Sequence, residues 1–157
     1  MSQLLGSKTY VTSDGSVPVL GVTDGSNAPA GYVGEVISSA IIAPVSYTSS
    51  SQTNIASITL TAGDWDVSGV GVLSLAGSTT SSNFQVGISL TSSTIPSTQS
   101  GNTTYVTGIA TGSGSSVPTP SVRVSVATTT IVYLVGFCVF AVSTASMGGF
   151  IRARRIR

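Results

Sequence analysis

The chain has no histidine, and its 157 residues include a single cysteine, Cys138. Histidine is the commonest general base and metal ligand, so its absence removes the usual centre of acid–base and metal chemistry. One cysteine excludes an internal disulfide, and its position in an apolar run predicts a small buried side chain. The sequence also lacks a G-x-S-x-G nucleophile motif, a P-loop and a paired CxxC. We therefore interpret the protein as not an enzyme, with no catalytic residue, no metal and no cofactor.

Charge is scarce as well, since charged residues are 7% of the chain, against about 25% in typical globular proteins. The formal net charge of +1 argues against a polyanion such as nucleic acid as a partner, and a hydrophobic content of 41% argues against disorder. Mean hydropathy is +0.44. Apolar chains with few charges tend to hide surface in an oligomer or a larger particle, so we expect self-association.

No segment is typical of membrane insertion. The longest apolar stretch, at residues 131–142, is too short for a transmembrane helix. Residues 1–10 do not combine a basic segment with an apolar one, so we expect no signal peptide. The sequence thus predicts that the protein has no membrane partner.

Residues 1–31 differ from the rest of the chain. They contain two Asp-Gly turn signals in a near repeat, T-x-D-G-S followed by T-D-G-S, and two prolines, Pro18 and Pro29. These features, with little apolar content, predict an extended N-terminal arm that becomes ordered on a partner. A first hairpin packed on the domain is the alternative. Residues 32–157 are expected to form the domain itself.

From residue 34 onward, short apolar-patterned runs alternate with Ser/Thr/Gly loops, and no window has a helical period. We predict an all-β domain, a β-sandwich or jelly roll of about eight antiparallel strands. Trp65, Phe84 and Phe137 are the expected core anchors, and Gly69 and Gly71 mark a bulge or the close approach of another backbone. The expected strands are residues 34–43, 56–61, 64–77, 83–90, 104–110, 121–126, 131–142 and 148–157.

The run at residues 131–142 is apolar on both of its faces. A sandwich strand in a monomer usually has one solvent-exposed face, which is polar. Because both faces of this strand are apolar, we expect both to be buried. We expect one face to line the core and the other to form a contact between copies of the chain. The side chains assigned to that contact are Val132, Leu134 and Phe140, together with Arg152 and Arg154 from the C-terminal end.

The stretch G-D-W-D contains Asp64 and Asp66, which lie on one face of an extended chain, roughly 6–7 Å apart. This spacing allows hydrolysis by a carboxylate pair, or one edge of a Ca²⁺ site. Neither carboxylate has supporting ligands nearby in the sequence, however. The favoured interpretation is structural, because an Asp64 carboxylate can bond nearby backbone N–H groups while Trp65 enters the core as the strand begins.

Four of the six basic residues stand in the last six positions, within F-I-R-A-R-R-I-R. A basic tail can bind nucleic acid, but apolar residues are interleaved here, and we expect no nucleic-acid partner. We favour a final strand with outward arginines, some of them paired with Asp64, Asp66 or Glu35. A contact with another protein is the further alternative, since arginine suits bidentate pairing at interfaces.

Three stretches together resemble one protein family. They are G-Y-V-G-E-V-I-S-S at 31–39, I-T-L-T-A-G-D-W-D-V-S-G at 58–69 and G-F-I-R-A-R-R-I-R at 149–157. The family comprises small virion proteins of tailed bacteriophages, seen as head-decoration or fibre proteins and as C-terminal domains of tail fibres. The resemblance covers about residues 24–157, with the motifs in the expected order. It implies a β-sandwich or jelly-roll module that associates as a homotrimer.

The resemblance also implies a location and partners. The segment before the domain is too short for a fibre shaft, which favours a head-decoration or short head-fibre protein on the virion exterior, made in the host cytoplasm. Its partners would be itself and other virion proteins, above all the capsid. The alternative is a tail-fibre or receptor-binding knob that meets host-surface glycans through loops 92–103 and 111–120, including Tyr105. We expect the arm to attach to the capsid through apolar side chains, namely Leu4, Leu5, Tyr10, Val11, Val19 and Leu20.

Overall fold

The computed structural model describes residues 24–157, apart from the side chains of residues 42 and 43. Within that range the regular elements are strands and one short 3-10 turn at Thr98–Ser100, so the prediction of an all-β domain is confirmed for the described residues. The six residues expected to attach to the capsid lie outside the described residues. The strands are β1 Val36–Tyr47, β2 Gln52–Leu60, β3 Gly63–Leu75, β4 Thr80–Ser89, β5 Thr103–Thr107, β6 Gly114–Pro118, β7 Val122–Val126, β8 Thr130–Ala141 and β9 Ala145–Arg155.

These strands form two antiparallel sheets that pack face to face as a β-sandwich. The first sheet has the order β1-β9-β3-β6, and β7 pairs with β3 beyond the end of β6. The second sheet has the order β2-β8-β4-β5. Residues 24–157 contain no helix with the length and hydropathy that a membrane crossing requires.

Strand β3 illustrates why this sequence forms a sheet with one buried face. Its odd-numbered positions from Trp65 to Leu75 are buried, and its even-numbered positions after Asp64 are partly or fully exposed. Such a period of two is the pattern of a strand that packs one face on a core. The expected anchors Trp65 and Phe84 are completely buried, and so is Cys138. Burial raises the pKa of the Cys138 thiol above its ordinary value.

Glycines let the two sheets approach closely at one place. A Cβ at Gly69 would lie 2.9 Å from Leu134 Cδ1, and a Cβ at Gly71 would lie 2.5 Å from Val86 Cγ2. Ile55 reaches the same area from β2, 3.3 Å from the Gly71 position. The expected close approach of another backbone is present at Gly69, where the Phe150 carbonyl oxygen of β9 would lie 2.8 Å from a Cβ, whereas at Gly71 side chains of the opposite sheet fill the space. Glycine is required there because any side chain would overlap them.

The sequence does not predict one of the strands. Residues 111–120, expected to be a loop, contain β6, whose backbone pairs with residues 70–74 of β3. Its sequence G-S-S-V-P has one buried side chain, Val117, so no apolar alternation marks it as a strand. Thr119 then exchanges two hydrogen bonds with Gly69, of 2.9 and 2.8 Å, where the partner of β3 changes from β6 to β7.

We predict that Gly71→Ala lowers the free energy of unfolding by about 1–3 kcal/mol, because the added methyl overpacks the core against Val86. The matched control is Gly77→Ala, where a Cβ meets nothing within 4 Å, and it should leave stability within about 0.5 kcal/mol of the parent. Urea unfolding measures both. Equal midpoints for the two variants would contradict the close approach of the sheets.

Candidate functional site

A buried arginine joins the three stretches that carry the family resemblance. Arg155, only 4% exposed, donates from Nε to Glu35 Oε2 at 2.9 Å. Its guanidinium lies 4.2 Å from the ring centroid of Trp65, a cation–π contact. Its two terminal nitrogens donate to the Ala62 carbonyl and to Thr61 Oγ1. The side chain thereby has a charge partner, an aromatic face and two further acceptors, which offsets the cost of burying a cation.

Gly63 leaves the space that this guanidinium occupies. It has a φ of +148°, and a Cβ there would collide with Nη1 of Arg155. Glu35 has a second donor, because the same Oε2 that binds Arg155 also accepts the Gly31 N–H at 2.8 Å. A backbone hydrogen bond joins the same two segments, since the Gly34 N–H donates to the Arg155 carbonyl at 2.9 Å. The start of β1, the start of β3 and the end of β9 therefore meet at one point.

Asp64 is the centre of a second arginine cluster, directly beside the first. Arg123 binds it with two nitrogens, Nε at 2.9 Å from Oδ1 and Nη2 at 2.7 Å from Oδ2, and Arg157 lies 2.8 Å from Oδ2. The hydrogen bonds from Arg123, and then those from Arg157, lower the pKa of the Asp64 carboxyl to about 2, although burial acts in the opposite direction. The sequence predicts a pairing of this carboxylate with a C-terminal arginine, and Arg157 makes it. Arg123 of β7 adds a second ion pair that the sequence does not predict, and arginines take the place of the expected backbone N–H partners.

Asp66 lies on the same face of β3 as Asp64 but has different surroundings. It is exposed, and it accepts a hydrogen bond from Ser121 Oγ at 2.6 Å. The two carboxylates thus share no ligand or proton, and Asp64 is held ionised by its arginines. No group of three His, Cys, Asp or Glu side chains suited to a metal occurs within residues 24–157. The geometry supports a structural role for the G-D-W-D stretch.

The final strand forms as predicted, with two of its arginines on the outer face. Arg152 and Arg154 are exposed there, and Arg152 makes one long contact of 3.4 Å with Ser68 Oγ. The predicted pairing with acidic residues occurs through Arg155 and Arg157 instead. Arg155 points inward, on the same face of β9 as Ile151 and Ala153. The alternation of the strand is consistent with this, but an arginine is rarely buried unless it is paired, and its partner Glu35 is distant in the sequence.

On β8, the side chains that line the core and those on the outer face are the opposite of the ones predicted from the sequence. Val132 and Leu134, assigned to a contact between copies, are completely buried between the sheets. Phe140 packs against the same core, with its ring centroid 6.2 Å from that of Tyr47. Phe137, assigned to the core, stands on the outer face and is partly exposed. Any contact between copies through β8 has to use the odd-numbered side chains.

Part of that outer face is covered by the chain's own loop at residues 90–102, here called the strap. Two side chains of β2 hold its first half. Asn54 donates to Ser92 Oγ at 2.8 Å, and Gln52 accepts from the Ile95 N–H at 2.6 Å. The strap therefore starts from the end of β4 and reaches across β8 to the far edge of the sheet.

The second half of the strap returns over β4. Pro96 lies against Gly87, where a Cβ would be 3.1 Å from the proline Cδ, and its carbonyl accepts from Thr103 Oγ1 at 2.9 Å. Val135 of β8 stands in register between Asn54 and Gly87, directly beneath this crossing, and is completely buried. The second apolar face of β8 is thus partly covered from within the same chain, a solution that the sequence pattern did not predict.

A shallow groove of about 480 Å³ lies between the strap and β5. It is lined by Gln85, Tyr105 and strap residues 95–98, and Tyr105 is 47% exposed. An exposed aromatic ring beside an amide and two hydroxyls offers both an apolar face and hydrogen-bonding groups to a ligand. This is the place where the loop 92–103 and Tyr105, named from the sequence, come together.

No protein-family model matches this chain, and no curated protein matches it.

We predict that Arg155→Met destabilises the protein by about 3–5 kcal/mol, because Glu35 is then left buried without its cation. Adding Glu35→Gln to that variant should recover part of the loss, since the uncompensated charge is gone. Arg152→Met is the matched control and should shift stability by no more than about 0.5 kcal/mol, because that side chain is exposed. Chemical unfolding measures all three, and equal effects at the two arginines would contradict the buried network.

Stability should depend on pH through Asp64. Its pKa is about 2 in the folded protein against an ordinary value of 3.8, so its contribution is present above about pH 4 and is lost as the pH falls toward 2. The melting temperature should be nearly flat from about pH 5 to 8, where the sequence offers no histidine to titrate.

Asp64→Asn should flatten the acid branch of this profile, whereas Asp66→Asn, which alters an exposed carboxylate outside the arginine cluster, should retain it. Thermal melts between pH 2 and 8 provide the test. A profile for Asp64→Asn that matches the parent below pH 4 would show that another group controls acid unfolding.

Proposed function

We propose that this chain is a non-enzymatic structural protein of a tailed-bacteriophage particle. In this proposal it is a homotrimeric head-decoration or short head-fibre protein, and residues 1–31 attach it to the capsid. The compact domain then projects from the virion surface. Its action is binding at many points, multiplied by the avidity of identical subunits.

The observation that carries the proposal is the meeting of the three resemblance stretches at Arg155. Glu35 comes from the first stretch, Trp65 from the second and Arg155 from the third. Residues separated by as many as 120 positions thus form one buried unit. The three stretches thus share a physical role in this fold, and this shared role is what supports treating them together in the proposal.

The occupied carboxylates favour a binding role over a catalytic one. A hydrolase of the carboxylate-pair type needs one carboxyl group that holds a proton near neutral pH and a second that stays ionised. Asp64 is bound by two arginines, and its pKa of about 2 keeps it ionised. Asp66 does not form a catalytic pair with Asp64, because Asp66 accepts its hydrogen bond from Ser121.

A receptor-binding knob on the tail is the second candidate, and the groove beside Tyr105 favours it. Gln85 and Tyr105 face this groove from neighbouring strands, in register across β4 and β5. The strap adds hydroxyl groups from Ser97 and Thr98. Such a lining suits a neutral sugar, because it has no charged side chain and combines an aromatic ring with hydrogen-bonding groups.

Electron microscopy of the intact virion, with particles lacking this protein as the control, tests the location. Density on the capsid that disappears from the control particles is the expected result. Density confined to the tail tip would overturn the head assignment. The knob would then be tested by asking whether purified protein blocks infection, and whether Tyr105→Ala abolishes the block while Ile131→Ala, an exposed apolar residue outside the groove, retains it.

A further inference from the structure

The outer face of the first sheet has an apolar centre that no described segment covers. Phe150 of β9 pairs in register with Ala40 of β1 and with Val70 of β3, and it is 38% exposed. A dimple of about 220 Å³ lies there, bordered also by Val72. The outer face of an antiparallel sheet is normally polar, so a continuous apolar centre indicates a contact surface.

The rim of this face is polar and carries both signs of charge. Arg152 and Arg154 are exposed beside Asp66, and the groove that contains all three has a volume of about 410 Å³. Every ion pair formed by residues 24–157 uses other arginines, namely Arg123, Arg155 and Arg157. An apolar centre with a rim that includes arginine is the usual anatomy of a protein interface.

The face also fits a second copy of the same chain in charge and in area. Its rim contains arginines and a carboxylate together, so one copy offers acceptors for the donors of another. Four strand positions about 4.8 Å apart and about eleven residues long, at about 3.3 Å per residue, give a face of roughly 700 Å². A standard interface buries about 800 Å² on each partner, which is a comparable area.

The outer face of the second sheet is a weaker candidate. The strap occupies its middle and buries Val135, so the apolar side chains left on β8 are separated into two groups. Ile131, 45% exposed, lies at one end of β8, and Phe137 lies toward the other. A partner would have to pass over the strap to touch both groups.

We propose that copies of this chain associate through the outer face of the first sheet, formed by β1, β9, β3 and the edge strands β6 and β7, with Phe150 at the centre of the contact. The proposal rests on the oligomeric part of the proposed function and assigns its surface. Arg152 and Arg154, two of the residues assigned to a subunit contact from the sequence, lie at the edge of this face. Val132, Leu134 and Phe140 take no part in it, since they line the core.

The mass of the full chain in solution, measured by light scattering across micromolar concentrations, tests the surface. Phe150→Asp places a charge at the centre of the contact and should weaken association by about tenfold or more, because an unpaired buried charge is costly. The matched control is Ile131→Asp, which alters a side chain of similar exposure on the other sheet and should leave the mass unchanged.

Three results would overturn the assignment: a monomeric parent protein, an unchanged mass for Phe150→Asp, or a loss of association in Ile131→Asp. Circular dichroism checks that each variant is folded. If Phe150→Asp does not fold, Ala40→Arg adds a charge at the neighbouring register position, where the native side chain is exposed.

The location on the virion is tested separately. Variant proteins are added to particles that lack the protein, and binding to the particles is measured. If a variant that no longer associates still binds the particles weakly, both the proposed function and the proposed contact surface are retained. An associated parent protein that does not bind particles would overturn the function while leaving the surface in place.

Discussion

The pairing of Arg155 with Glu35 and Trp65 is the constraint on which the rest of the architecture depends. Two charges are buried together, and each would cost several kcal/mol if its partner were removed. Their contact fixes β9 between β1 and β3, which are its neighbours over most of their length. Because Glu35 and Arg155 are 120 positions apart, this corner joins the beginning of the described domain to its end.

The period of two was sufficient to predict the fold class and much of the core. It places Trp65 and Phe84 inward, and the two glycines within the strand pattern, Gly69 and Gly71, indicate where other atoms come close. It failed at β6, where Val117 is the single buried side chain and the strand forms because the edge of β3 offers backbone partners. Backbone pairing at a sheet edge depends on tertiary context, so a short polar sequence such as that of β6 does not indicate it.

Strand β8 shows a different limit of sequence reasoning. When both faces of a strand are apolar, alternation separates two sets of side chains but does not identify the set that lines the core. The prediction of Phe137 in the core and Leu134 at a contact between copies is therefore wrong, because Leu134 is buried and Phe137 is on the outer face. The cover that β8 receives from the strap could not be foreseen either, because it depends on polar side chains of β2 such as Asn54 that lie far away in sequence. A strand that is apolar on both faces is therefore weak evidence for assembly, because a loop of the same chain can cover the second face.

The apolar outer face of the first sheet is the proposed contact between copies, and its position bears on how an assembly would attach to a capsid. Gly34, just before β1, donates its N–H to the Arg155 carbonyl, so β1 begins at the end of the sheet where Arg154 lies. In a cyclic oligomer all equivalent points lie at the same height along the axis, so the starting ends of the β1 strands would lie at one height in the assembly. Under the proposed function residues 1–31 attach the domain to a capsid, and several such segments in one assembly bind a surface with far greater avidity than a single one does. The proposed contact through Phe150 would then link the chains and bring those segments together, which gives Arg152 and Arg154 a role that stability alone does not supply.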